Sequence, residues 1–197
     1  MTDSPYADPY SWFDAWFAEA SRTVSPDPNA MTLATVNAEE RPSIRVVLLK
    51  SWDEQGMVFY TNRKSRKGRD LQSFQHAALN FWWRELGWQI RIEGRVEPLD
   101  DVESDAYFAT RPRGSQIGAW ASRQSEPLVD RPTFEAQVDH FEAQFAGQEV
   151  PRPKHWGGFR VVPDRFEFWA AGEFRLHDRW VFERVEGAWQ AAQRLFP

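Results

Sequence analysis

The run Arg175-Leu176-His177-Asp178-Arg179 lies near the C-terminus in a stretch that reads as extended. Alternate side chains of a strand share a face, which would set Arg175, His177 and Arg179 side by side. Three groups that are cationic, or become so on protonation, repel one another unless an anion lies between them. A chain of net charge -5 has no general reason to build such a cluster. The spacing points to a phosphorylated or electron-rich ligand, whose other walls should be basic or rich in hydroxyls.

Three further groups fit such walls. Tyr107 and Arg111 are one helical turn apart and would share a face. Pro112 disfavours helix at Arg111, so Ser115 is placed to cap the helix that follows, where free backbone N–H groups attract anions. The set reads either as a phosphate cradle or as a breaker loop with a surface arginine. In Arg45-Val46-Val47-Leu48-Leu49-Lys50, strand alternation puts Arg45 and Lys50 on opposite faces. They serve different ligands, opposite sides of one, or neither, as charges snorkelling from the ends of an apolar strand. Ser65-Arg66-Lys67 sets a capping serine before two cations in a first helical turn, where the helix dipole favours acids. An anion bound there would remove the conflict.

Other chemistries find little support. The chain has no cysteine, which excludes disulfides, a thiol nucleophile and cysteine metal sites. His76, His140, His155 and His177 show no metal-ligand spacing, and there is no nucleophile elbow or glycine-rich phosphate loop. The acidic balance argues against a nucleic-acid partner. No apolar run approaches a membrane span, and Met1-Thr2-Asp3-Ser4 is unlike a signal peptide, so the expected location is cytoplasmic.

The elements that must position these residues fit one domain of 197 residues. Asp8-Pro9 opens a helix with Trp12, Phe13, Trp16, Phe17 and Ala20 on one stripe. Strands are expected at Met31–Val36, Ser43–Lys50, Met57–Thr61 and Ala77–Trp83, with a short helix from Ser65. From Trp88 to Glu97 apolar and polar residues alternate cleanly, the mark of a half-buried strand. Helices near Val102–Thr110, Ser115–Ser122 and from Pro132 precede closing strands at Gly158–Val162, Arg165–Trp169, Arg179–Arg184 and Trp189–Leu195. About eight strands with interposed helices predict a mainly β fold with flanking helices, closed or nearly closed as a barrel.

Read together, the segments RVVLLK (45–50), GMVFYTNRKSRK (56–67), RPRGSQIGAW (111–120), RQS (123–125), WGGFRV (156–161), FEFW (166–169), RLHDR (175–179) and the terminal RLFP resemble the pyridoxamine 5'-phosphate oxidase family. The resemblance implies an FMN-binding split β-barrel over 27–197, after an N-terminal helical segment at 1–26. It further implies a C-terminal dimerisation region and a homodimer with FMN at its interface. Flavin contacts of the family match Arg45, Val46, Val47, Leu48, Leu49, Lys50, Tyr60, Thr61, Arg66, Lys67, Gln89, Gln124, Ser125, Trp169 and Arg179. Substrate contacts match Lys50, Tyr107, Arg111, Ser115, Arg175, Leu176 and His177, of which Arg175 and His177 flank the reacting ring. The implied reaction is oxidation of pyridoxamine or pyridoxine 5'-phosphate to pyridoxal 5'-phosphate by O2. The chain departs from the family in two places. The family usually has a longer basic N-terminal segment that helps cover the substrate, where this sequence reads Met1-Thr2-Asp3-Ser4-Pro5-Tyr6, so a shorter or differently built lid is expected; and Trp88 stands where arginine commonly precedes Gln89.

Overall fold

A computed structural model describes residues 4–197; the reading of the first three residues lies outside them. Helix α1 (Pro9–Thr23) is capped by Asp8, whose carboxylate accepts from the backbone N–H of Tyr10 and Ser11 at 2.9 Å each. Its buried stripe is the expected one, apart from Phe17, which is partly buried. Trp12 stacks on Phe168 at 4.4 Å, and Trp16 stacks on Trp88 at 4.3 Å. Trp88 thus packs against the N-terminal helix. Each such aromatic, if truncated to alanine, would cost about 3–5 kcal/mol.

The sheet is antiparallel throughout. Strand β1 (Ala30–Val36) pairs with β2 (Pro42–Leu48) on one side and β5 (His76–Trp83) on the other. The order continues through β6 (Trp88–Pro98), β7 (Trp156–Ala170), β8 (Asp178–Val185) and β10 (Gln193–Leu195), with the short β9 (Ala188–Trp189) on β8. Beside the first half of β7 lies β4 (Gly56–Asn62), which forms a hairpin with β3 (Ser51–Asp53). The second half of β7 pairs with β8 instead. At the root of the β3–β4 hairpin the Lys50 N–H donates to the Val58 carbonyl at 2.9 Å, which holds the end of β2 beside β4 and, through the pairing of β4 with β7, curls the sheet back on itself. This is the split barrel that the resemblance implied.

Alternation explains which side each strand buries. Ile90, Ile92 and Val96 of β6 point inward with Leu33, Leu79, Phe81, Phe166, Phe168 and Phe182. A second apolar cluster of Phe108, Ile117, Phe145, Val150 and Trp156 lies under α3 (Asp101–Ala109), α4 (Arg113–Ala121) and α5 (Arg131–Gln144).

Several expected boundaries moved. Gly158–Val162 and Arg165–Trp169 are one strand, because Pro163 falls at a β-bulge opposite Gly94, where its missing N–H is not needed. A Cβ on Gly94 would collide with the Val162 carbonyl, so the bulge requires glycine there. β2 stops at Leu48, freeing Lys50 for the barrel seam. The last expected strand is two short ones, β9 and β10. No helix among the described residues is long and apolar enough to cross a membrane, and no group of three acidic or histidine side chains there could hold a metal.

Candidate functional site

Between the barrel seam and the helical cluster lies a cavity of about 630 Å3. β2 and its extension bring Val46, Val47, Leu48 and Lys50; β4 brings Tyr60 and Thr61; the α3–α4 corner brings Tyr107, Arg111 and Ser115. Lys67 and Gln124 close another side. Eleven expected residues from five segments therefore line one cavity.

Arg111 is the most telling of them. It sits in the link between α3 and α4, as Pro112 requires. Its guanidinium lies 4.5 Å over the Trp156 ring, and Tyr60 stacks between Trp156 (5.4 Å) and Tyr107 (4.0 Å). Its Nη1 is buried with no hydrogen-bond partner, and it has no carboxylate partner, among the described residues. Burial pushes its pKa down, with Tyr107 opposing. A half-buried cation with one buried nitrogen unpaired is costly, and a bound anion would relieve it. Ser115 does not cap α4 as expected. Pro112 stands at that cap with no side-chain hydrogen bond, and Ser115 lines the cavity from within the first turn.

Helix α2 (Arg66–Ser73) is capped by Ser65, which accepts from Gly68 N–H at 3.3 Å, and its first turn holds no acid. Lys67 Nζ lies 3.3 Å from both Thr61 Oγ1 and Gln124 Oε1. Burial pushes the Lys67 ammonium pKa down, and Arg45 adds to the push while Asp70 opposes it. The Arg66 backbone N–H donates to Ser125 Oγ at 3.1 Å. A helix N-terminus, two cations and two hydroxyls here can hold a phosphate.

Two residues of the same segments turn away. Leu49 is buried in the barrel core. Arg45 binds Thr35 Oγ1 at 2.7 Å and lies 3.5 Å from Asp70, itself bonded to Thr35. The buried Asp70 was missed from sequence because one acid in a basic helix looks like surface charge.

The remaining expected residues lie elsewhere on this chain. Gln89, Trp169 and Arg179 face one another across β6, β7 and β8. Trp169 lies eleven residues beyond Gly158, the partner of Tyr60, so about 35 Å of strand path separates the two sets. The RLHDR run is not a strand. Glu173–Arg175 form a 3-10 turn, with Phe174 and Arg175 both at positive φ (54° and 65°), and β8 starts only at Asp178. Two successive non-glycine residues in the left-handed region store strain. The turn exposes Arg175 and Leu176, and His177 swings against Trp169 at 4.4 Å, its Nδ1 accepting from the Gly172 N–H at 3.2 Å. The three cations therefore do not share a strand face.

Fold and cavity define a split-barrel protein with a cationic pocket at its seam. The family model described as pyridoxamine 5'-phosphate oxidase matches residues 17–145, and that described as the pyridoxine 5'-phosphate oxidase C-terminal dimerisation region matches 156–197. The chain belongs to the pyridoxamine 5'-phosphate oxidase family. It is 56% identical over 190 residues to a pyridoxine/pyridoxamine 5'-phosphate oxidase of Myxococcus xanthus (strain DK1622), covering 96% of this chain and 92% of that protein. Among solved structures it resembles PhzG from Burkholderia lata 383 in complex with tetrahydrophenazine-1-carboxylic acid, with 36% identity, TM-score 0.91, and 98% and 95% of the two chains covered. A pyridoxamine 5'-phosphate oxidase-related, FMN-binding protein of Nostoc punctiforme PCC 73102, 17% identical with TM-score 0.75 over 96% and 98% of the chains, shares the fold.

Proposed function

We propose that the protein oxidises pyridoxamine and pyridoxine 5'-phosphates to pyridoxal 5'-phosphate, as a homodimer with FMN and with O2 as acceptor. The carrying observation is Arg111: a half-buried guanidinium on an aromatic floor, with one buried, unpartnered nitrogen and no carboxylate partner among the described residues, beside Lys50, Tyr107 and Ser115. That set suits a phosphate monoester, which supplies charge and several acceptors at once.

The second anion site at the start of α2 fits the phosphate of FMN, held by Arg66, Lys67, Thr61, Gln124 and Ser125. Bound FMN supplies the hydride acceptor and is reoxidised by O2, giving H2O2, while the amine route also releases ammonia. Arg111, Lys50, Tyr107 and Ser115 anchor the substrate phosphate and so fix where its reacting carbon lies, converting an encounter into an oriented approach. Arg175 and His177 hold the ring from its open side. On one chain they are remote from the cavity, so they, with Gln89, Trp169 and Arg179, come from the second copy. The protein's contribution is orientation and charge compensation.

A second reading, a flavin oxidase of a non-phosphorylated aromatic acid, is favoured by the likeness to PhzG. Peroxide release decides between them. Turnover with either phosphorylated vitamer at low concentration supports the first reading. Turnover confined to a tetrahydrophenazine carboxylic acid overturns it.

A further inference from the structure

We propose that Glu167 is a positioning residue that orients Arg179 toward the flavin. The inference rests on the reading of Arg179 as an FMN contact given above. Glu167 lies mid-strand in β7 and has 0% exposure, although it points to the polar outer face of the sheet. Its Oε1 accepts from Arg179 Nε at 2.9 Å and Nη2 at 2.8 Å, and pairs with Arg91 as well. Its Oε2 accepts from Arg165 Nη2 at 3.0 Å. Arg165 has two further carboxylates, Glu93 at 3.0 Å and Glu183 at 3.7 Å, so its charge is met. Arg91 and Arg179 share one carboxylate oxygen, which leaves a surplus of positive charge beside the Gln89–Trp169–Arg179 row.

The geometry at Arg179 is specific. Glu167 grips one edge of the guanidinium, and the Phe196 carbonyl accepts from Nη1 at 3.0 Å on the other. Of five N–H donors, three are taken, and one on each terminal nitrogen is left for a ligand. The C-terminal Arg-Leu-Phe-Pro run thus helps to aim the same side chain. Three guanidiniums around one buried carboxylate are a poor way to gain stability alone, because apolar side chains would serve a sheet as well. They are a good way to hold one planar cation in a single orientation.

Glu167→Gln keeps the shape and removes the charge. The test measures FMN dissociation constants by flavin fluorescence on protein stripped of cofactor, with melting temperature and dimer content alongside. The expected result is a loss of affinity of about tenfold or more in a folded dimer, the size typical when a ligand-orienting partner is removed. Adding Glu167→Gln to Arg179→Ala should then weaken binding no further, since the carboxylate acts through that arginine. A folded Glu167→Gln protein with unchanged FMN affinity, or a full additional loss in the double variant, overturns the proposal. If Glu167→Gln does not fold, Glu167→Asp carries the test, because it keeps the charge but withdraws it by one C–C bond. Weakened FMN binding in folded Glu167→Asp supports the role, and unchanged binding overturns it. Wild-type protein that binds no FMN overturns the functional reading and this inference together; wild-type binding matched by the variants overturns the inference alone.

Discussion

The seam cavity and the outer face of β6–β8 both gather cations, and they treat them in opposite ways. In the cavity, Lys50, Lys67 and Arg111 have no direct ion pair among the described residues, and Arg111 keeps an orphaned nitrogen. On the outer face, Arg91, Arg165 and Arg179 close around the buried Glu167. The first region holds its cations apart from any carboxylate among the described residues; the second gathers them around one, Glu167. A site that must release its anion cannot contain a permanent one, whereas a site that must hold a shape can.

The largest expected effect tests the start of α2. Replacing Arg66 and Lys67 together by alanine should give largely flavin-free protein, read from the absorbance of the purified dimer. Full flavin occupancy would contradict the phosphate role of that helix start. Next, Arg111→Ala removes a charge-assisted contact of about 1.5–3 kcal/mol, so KM for the phosphorylated substrate should rise about tenfold to hundredfold. An unchanged KM would remove Arg111 from the substrate cradle.

A subunit-exchange experiment sharpens the comparison between the regions. If each site joins the cavity of one copy to the Arg175 turn of the other, a heterodimer of Arg111→Ala and Arg175→Ala has one intact site and one doubly damaged site. Random re-pairing should then restore about a quarter of wild-type activity at low substrate from two weak parents. Re-paired mixtures no more active than the parents would show that each site is built within one chain.

The smallest effect concerns pH. Burial opposes the charge on Glu167, but hydrogen bonds from Arg91, Arg179 and Arg165 outweigh it and hold its carboxyl below the ordinary glutamate range. A folded-state pKa below the unfolded value, about 4.3, stabilises the protein above that pH and loses this contribution as pH falls through the folded value. Glu167→Gln should thus be less stable than wild type at neutral pH, and the gap should narrow below about pH 4. A gap in melting temperature that stays constant to acid pH would show that the carboxylate's charge is not what matters.

Much of this was legible along the chain. The stripe on α1, the alternation of β6 and the cap at Ser65 follow from local periodicity and local hydrogen bonding, and they appear as expected. The motif RLHDR was recognised, but its conformation was not. Alternation assumes a strand, and the positive φ angles at Phe174 and Arg175 arise where the chain must turn sharply before β8. Glu167 lies within FEFW, where alternation alone places it on the solvent face. Its meaning depends on Arg91, Arg165 and Arg179, which lie far apart in sequence and meet only through strand register.

Taken alone, the order of residues determined the barrel class, the family and the identities of the cavity cations, because periodicity and motif spacing are properties of the chain itself. Only the tertiary structure decided which cations stand apart from a carboxylate and which pair with one, since charge compensation depends on distance and burial. It also decided that Trp169, His177 and Arg179 lie away from the cavity their own chain builds, because β7 is a single long strand that holds the two regions apart.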